Sequence, residues 1–296
     1  MSNRKRKVCV VVGASSKWQA NGVSTKRARQ VSGFPVQIPR SMRFTVSALS
    51  SVLDDDEFVD ETKWGVGGAI CLRFAREGFA VALFSRKTAE NVIALADAVK
   101  RAGGEPLPVE CELGDEQSIK NAFATVVQEL GPVDVLVYNA GYTSGGASEV
   151  LVEDLPTEIF DVSMSVQCRG AFLCCKEVLP HMREQGEGTV LFSSVPNAMR
   201  GGKKNLTNST AKAALRGLSQ SLNAEYHPLG IHVAHIVING FIDSPGTRPL
   251  VNGKTERMMD PAAIAETYWQ LHAQHKSAWS YETVLTNYLG SISPRL

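Results

Sequence analysis

The chain has 296 residues, 44% of them hydrophobic, and its 31 basic and 30 acidic side chains leave a formal net charge of +1. That is apolar material for one sizeable core, and one large α/β domain is the simplest reading of the length. Near-neutral charge argues against a nucleic-acid or membrane-surface footprint, and no apolar run has the length needed to span a bilayer.

The basic start Asn3-Arg-Lys-Arg-Lys7 reads as a solvated terminus or as a localisation signal. It leads straight into a short apolar strand, so no signal peptide and a cytoplasmic location are expected. That strand is Val8 to Val12, continuous enough for burial on both faces. Further apolar runs follow at Val81-Ala-Leu-Phe84, Val133 to Tyr138, Thr189 to Phe192 and Ile231 to Ile238. Helical spacing separates them: Ile119, Phe123, Val126 and Leu130 recur on one face, as do Ala211, Leu215, Leu218 and Leu222. Glycine and proline punctuate the joints, among them Gly78, Gly103-Gly104, Gly131-Pro132 and Gly230. Buried strands alternating with amphipathic helices predict βαβ units, hence a doubly wound parallel sheet in a three-layer α/β/α sandwich. Near the C-terminus, Asp260 reads as the N-cap and Pro261 as the first residue of a helix reaching His272. Tyr268, Trp269 and Trp279 read as packing or subunit-contact residues, and His272 and His275 as surface histidines. The six cysteines show no C-x-x-C pairing. They read as small core residues in a reducing compartment, with no metal site expected. Asn205-Leu-Thr207 and Asn208-Ser-Thr210 match the glycosylation pattern and, without a secretory route, read as chance.

One stretch breaks the order. After Val10-Val-Val-Gly-Ala-Ser-Ser16 the chain is expected to turn into a helix, but residues 17–64 intervene before Gly65-Val-Gly-Gly-Ala-Ile70. These 48 residues contain a basic part (Lys26-Arg-Ala-Arg29) and an acidic part (Asp54-Asp-Asp-Glu57), and far exceed an ordinary βα loop. Lys-Trp stands at both edges, at 17–18 and 63–64, so the boundary is open by two residues. The stretch reads as a surface loop with its own role, as a tolerated insertion, or as sequence absent from the mature product. The last is the hypothesis preferred here, because excision restores an unbroken glycine-rich turn. The chain is thus expected to be a single domain over 1–296 with an insertion at 17–64. Residues 245–296 carry a turn-rich substrate loop and the closing helix and strand.

The restored turn, Gly13-Ala-Ser15-Ser16 joined to Gly65-Val-Gly67, has the chemistry of a pyrophosphate cradle. A strand ends, the backbone turns tightly, and a helix N-terminus presents free N–H groups. Together with Asn139-Ala140-Gly141 directly after the strand ending at Tyr138, it resembles the short-chain dehydrogenase/reductase family over residues 7–16 and 65 to about 250. The resemblance implies a Rossmann fold, a nicotinamide cofactor, a small carbonyl or alcohol substrate, and a homodimer or homotetramer built on two long helices, roughly 156–184 and 208–226. It places Glu112 beside the adenine and matches Asn239 to Ser244 to the stretch at the nicotinamide end, with Ile242 and Ser244 as contacts. At the end of the second strand, Ser85-Arg86-Lys87 offers no acid for a ribose 2′-hydroxyl. A guanidinium and an ammonium suit a 2′-phosphate, so NADP(H) is expected over NAD(H).

The family uses a Tyr as general acid/base four residues before a Lys, an orienting Ser and a helix Asn. Lys212 matches the Lys, and the position four earlier is Asn208, whose amide cannot donate a proton as a phenol beside an ammonium does. Gln167 matches the Asn. The spacing for the Ser points to Val195, and a one-residue shift gives Ser194. Tyr142 is a remote alternative phenol. Two functions are therefore carried forward: an oxidoreductase with atypical catalytic residues, and a non-catalytic nucleotide-binding scaffold or sensor.

Overall fold

A computed structural model describes residues 6–14, 64–86, 90–142, 150–203, 205–244, 247–251 and 254–290. The strands are β1 (Val8–Val12), β2 (Ala80–Ser85), β3 (Glu105–Glu110), β4 (Val135–Tyr138), β5 (Gly188–Ser194), β6 (Ile231–Asn239) and β7 (Glu282–Thr286). They form one sheet in the order β3-β2-β1-β4-β5-β6-β7, with every neighbouring pair parallel. The helices are α1 (Val66–Arg76), α2 (Glu90–Arg101), α3 (Glu116–Glu129), α4 (Thr157–Met164), α5 (Gly170–Gln185), α6 (Leu206–Tyr226) and α7 (Pro261–Ala273). The doubly wound α/β fold expected from the alternating patterns is the fold observed.

The period-two alternation within each strand splits the core into two layers. Val8, Val10 and Val12 of β1 pack with α3, α5 and α6. Cys9 and Val11 face α1, α2 and α7. Five of the six cysteines are buried in these layers and Cys168 is half-buried, as their small apolar character led one to expect. Asp115 caps α3 by accepting from the Gln117 N–H at 2.9 Å, and Asp260 caps α7 through Ala262 at 2.8 Å, with Pro261 at the first helical position.

β3 carries no clean strand signal, because Pro106 and Pro108 interrupt it. It survives as an edge strand. Glu105 and Cys111 donate to Phe79 and Ser85 beside β2, so the even-numbered positions, where proline lacks an N–H, point away from the sheet.

Trp64, within the two residues over which the interruption's edge is open, packs against Gly68 and the core layer under α1. Residues 17–63 of that stretch lie outside the described residues. Two sequence expectations change. The long helix over 156–184 is not uniformly α: a π turn at Ser165–Arg169 joins α4 to α5. His272 is not a surface histidine. Its Nδ1 meets Thr189 Oγ1 at 2.9 Å, and its ring lies 5.4 to 5.7 Å from those of Phe74, Phe79 and Trp269. His275 is exposed, as expected.

Burial lowers the His272 pKa to about 4. The unfolded chain therefore binds a proton between pH 6.5 and 4 that the folded chain does not, and stability falls as pH drops through that window. Denaturant unfolding at pH 7 and pH 5 should show wild type losing about 1–2 kcal/mol more than His272→Phe. Equal losses would remove His272 as the cause.

Candidate active site

The strand order turns outward in both directions from β1 and β4, so the crevice beyond their C-terminal ends is the topological switch point where this fold class binds ligands. Four residues singled out from sequence meet there. Gly13 ends β1 at φ +81°, a conformation side chains disfavour. A Cβ on it would lie 2.9 Å from the Ala140 backbone. A Cβ on Gly67 would clash with the Gly13 carbonyl oxygen and lie 2.9 Å from Asn139 Nδ2. Asn139 closes the group: its Nδ2 donates to the Gly13 carbonyl at 3.1 Å and its backbone N–H to Val12 at 3.0 Å. Gly65 is the N-cap of α1. No described side chain caps that end, and its first turn holds no acid. It presents open N–H groups and a positive dipole end to an anion.

Arg86 stands exposed at the end of β2. Its charge reaches Tyr142, whose half-buried phenol is pushed up by burial and partly pulled back by that guanidinium. Glu112 follows β3 and accepts from the Gly114 N–H at 3.3 Å. Ser15, Ser16 and Lys87 lie outside the described residues. Ile242 forms a parallel bridge with Met259, and the Ser244 and Thr247 hydroxyls bond at 2.9 Å. Arg248 holds Asp243 at 2.7 Å.

The second cluster lies at the ends of β5 and α6. Lys212 is only 5% exposed, and its Nζ donates to the Ser193 carbonyl at 3.0 Å. Burial lowers its pKa to about 8. Asn208 sits one turn earlier on the same helix, half-buried. Ser194 is 2% exposed and its Oγ has no hydrogen-bond partner among the described residues. Ser193 points the other way, and its Oγ lies 2.6 Å from the Tyr268 hydroxyl of α7.

Gln167 lies in the π turn, 1% exposed, and a Cβ on Gly141 would be 3.9 Å from its Oε1. Its Nε2 donates to Ser163 Oγ at 2.9 Å, and Ser163 Oγ donates to the Thr207 carbonyl at 3.2 Å. This chain ties the π turn to the first turn of α6. The Tyr138 hydroxyl donates to the Val166 carbonyl and fills the space that a side chain on Gly170 would need. The turn's altered hydrogen bonding thus has an internal partner.

The profile of the short chain dehydrogenase family matches residues 62–254. The chain belongs to that family. A short-chain reductase of Streptomyces niveus is 34% identical over 203 residues, covering 67% of this chain and 74% of the relative. A 2-(R)-hydroxypropyl-CoM dehydrogenase of Xanthobacter autotrophicus is 34% identical over 62% of this chain and 73% of its own. Among solved structures, a short-chain dehydrogenase from Rhodopseudomonas palustris aligns with a TM-score of 0.64 and 27% identity over 75% of this chain and 93% of its own. An actinorhodin polyketide ketoreductase crystallised with NADPH aligns at 0.73 and 20% identity over 99% and 100%, a likeness of fold. As a short-chain dehydrogenase, the chain is an oxidoreductase built to use a nicotinamide cofactor. The family match begins at residue 62, so β1 and Gly13 lie upstream of it, yet Gly13 and Gly67 touch.

Sequence reasoning missed the supporting network. Ser163 carries no motif, Thr207 reads only as part of a chance glycosylation pattern and Tyr268 only as a packing residue, and the tertiary structure alone sets them against Gln167 and Ser193. It also missed a second network beneath α6. There Arg216 grips Glu282 with two bonds of 2.7 and 3.2 Å, and Glu282 meets His235 Nδ1 at 3.1 Å. Gly67→Ala should push α1 off β1 and cost about 1–3 kcal/mol, with nucleotide affinity lost in step. Unchanged unfolding and unchanged nucleotide titration would show that the close approach is dispensable.

Proposed function

We propose that this chain is an NADP(H)-dependent oxidoreductase interconverting a carbonyl and an alcohol, with a proton-transfer site altered at Asn208. The observation that carries the reading is Lys212. An ammonium this deeply buried with no paired carboxylate among the described residues is costly to keep, and such groups cluster where chemistry uses them. Its Nζ sits on the carbonyl of Ser193, next in the chain to Ser194 with its unpartnered hydroxyl, at the C-terminal edge of the sheet where the glycine cradle also lies.

The residues present suit the cofactor. The cradle of Gly13, Gly65 and Gly67 leaves room for a pyrophosphate at the α1 N-terminus, with Ser15 and Ser16 assigned to the same turn. Arg86, with Lys87 next in the chain, would take the 2′-phosphate, and Glu112 the adenine side. Asn139, Ala140 and Gly141 would line the adenosine. Lys212 would hold the nicotinamide ribose, and Ile242 and Ser244 the nicotinamide. The bound cofactor supplies or accepts the hydride. The protein binds, orients and moves the proton, with Ser194 directing the carbonyl oxygen and Gln167 fixing the helix wall. A homodimer or homotetramer through α4–α5 and α6 belongs to the same reading, supported by Phe172, which is 47% exposed on α5.

The test is titration of NADPH and NADH, on the full chain and on a chain lacking residues 17–64, followed by a carbonyl panel. NADPH should bind more tightly, and Arg86→Ala should cost it about tenfold while sparing NADH, as expected for one charge-assisted contact. NADPH binding without any turnover would turn the assignment into a nucleotide-binding scaffold. Binding only by the shorter chain would place function in a product without the insertion. Asn208→Tyr should raise reductase turnover by roughly tenfold or more, since a placed general acid contributes about 10²–10⁴-fold. No gain with NADPH still bound would mean that the pocket has diverged beyond this position.

A further inference from the structure

Each hydride delivered to a carbonyl carbon needs one proton on its oxygen, and at position 208 this chain offers an amide. The groups of the described site that carry a proton are few. Gln167 already donates to Ser163 and is far too weak an acid. Ser194 has no partner that could act as its base. Tyr142 is half-buried on the loop after β4, and burial pushes its phenol pKa up, further from the working range. Lys212 remains. It is buried and on the correct helix, and only one of its Nζ donors is engaged among the described residues, at the Ser193 carbonyl.

We propose that Lys212 is itself the general acid, its Nζ–H protonating the substrate's carbonyl oxygen. The inference rests on the reductase reading above. In the step, an N–H bond of Lys212 breaks and an O–H bond forms. The oxygen takes the π pair of the C=O bond while the carbon accepts a hydride from the reduced nicotinamide. Lysine is left as a neutral amine and regains its proton from water. Alcohol oxidation is the reverse, with the neutral amine as base.

Burial brings the ammonium to about 8, where a general acid works well near neutrality. The charged and titratable groups around it fit that role. On its own helix, Arg216 is one turn away and engaged by Glu282 of β7. On β6, His235 feels the Lys212 charge, and burial lowers its pKa to about 4, so it is neutral at working pH. β5 and the π turn present Ser193, Ser194 and Gln167, none of which titrates in this range. No carboxylate among the described residues is close enough to hold Lys212 permanently charged.

The experiment is the pH profile of carbonyl reduction by the full chain with saturating NADPH, alongside NMR of 13Cε-labelled lysine. Turnover should fall about tenfold per pH unit above roughly 8, and the Lys212 resonance should titrate at the same pH. Lys212→Arg keeps a positive donor that does not titrate there. It should cost roughly 100-fold or more in kcat with NADPH kept saturating and abolish the alkaline limb. If Lys212→Arg does not fold, Lys212→Met, which suits the buried path, carries the kcat and alkaline-limb readings at saturating NADPH. A Lys212 resonance titrating near the ordinary lysine value overturns the proposal and leaves the reductase reading standing. So does an alkaline limb that survives Lys212→Arg and disappears in Tyr142→Phe. Wild type that binds NADPH and turns over no carbonyl overturns both.

Discussion

Everything at this site depends on how closely α1 can approach the end of β1. Gly67 rests on the Gly13 carbonyl, Gly13 rests on the Ala140 backbone, and Asn139 ties the two strand ends with a side-chain bond to that same carbonyl. With a methyl group on Gly67 the helix would stand off and its N-terminal N–H groups would no longer reach the crevice between β1 and β4, while one on Gly13 would press on the Ala140 backbone beside that crevice. The contact also joins the two sides of the long interruption. The chain leaves after β1 and returns at Trp64, and the two sides of the turn meet as if nothing intervened. Closing a longer loop adds only slowly to the entropic cost.

The other end of the site is governed by desolvation. Lys212 sits in the interior with a backbone carbonyl as its partner, and its charge is therefore easily given up. The elements around it are fastened to one another by buried polar bonds. The π turn is fastened to α6 through Ser163 and Thr207, and β5 to α7 through Ser193 and Tyr268. These bonds are desolvated and hence strongly directional. They hold Gln167 and the Lys212 carbonyl partner in fixed relation, which a site handling protons requires.

The sequence was most informative where chemistry and periodicity coincide. The strands β1, β2, β5 and β6, the capped start of α7, and the glycine turn each announce themselves, because buried strands must be apolar, helix starts need capping groups and a tight phosphate turn needs glycine. β3 was hidden, because its prolines argue against a strand unless one knows that it lies at the edge with those positions facing outward. The π turn was hidden as well, since nothing in Ser165-Val-Gln-Cys-Arg169 departs from an ordinary helical pattern. His272 looked like a surface residue because its partners, Phe74, Phe79 and Thr189, are supplied by other elements distant in the chain.

By itself, the sequence determined the fold class, the family and the presence of Asn208 one turn before Lys212, since these follow from residue type and spacing along one chain. The tertiary structure decided which backbone atoms Lys212 and Asn139 meet, which hydroxyl remains unpartnered, and how far burial moves each titrating group. Those properties are set by neighbours brought together from separate strands and helices, and local spacing carries no record of them.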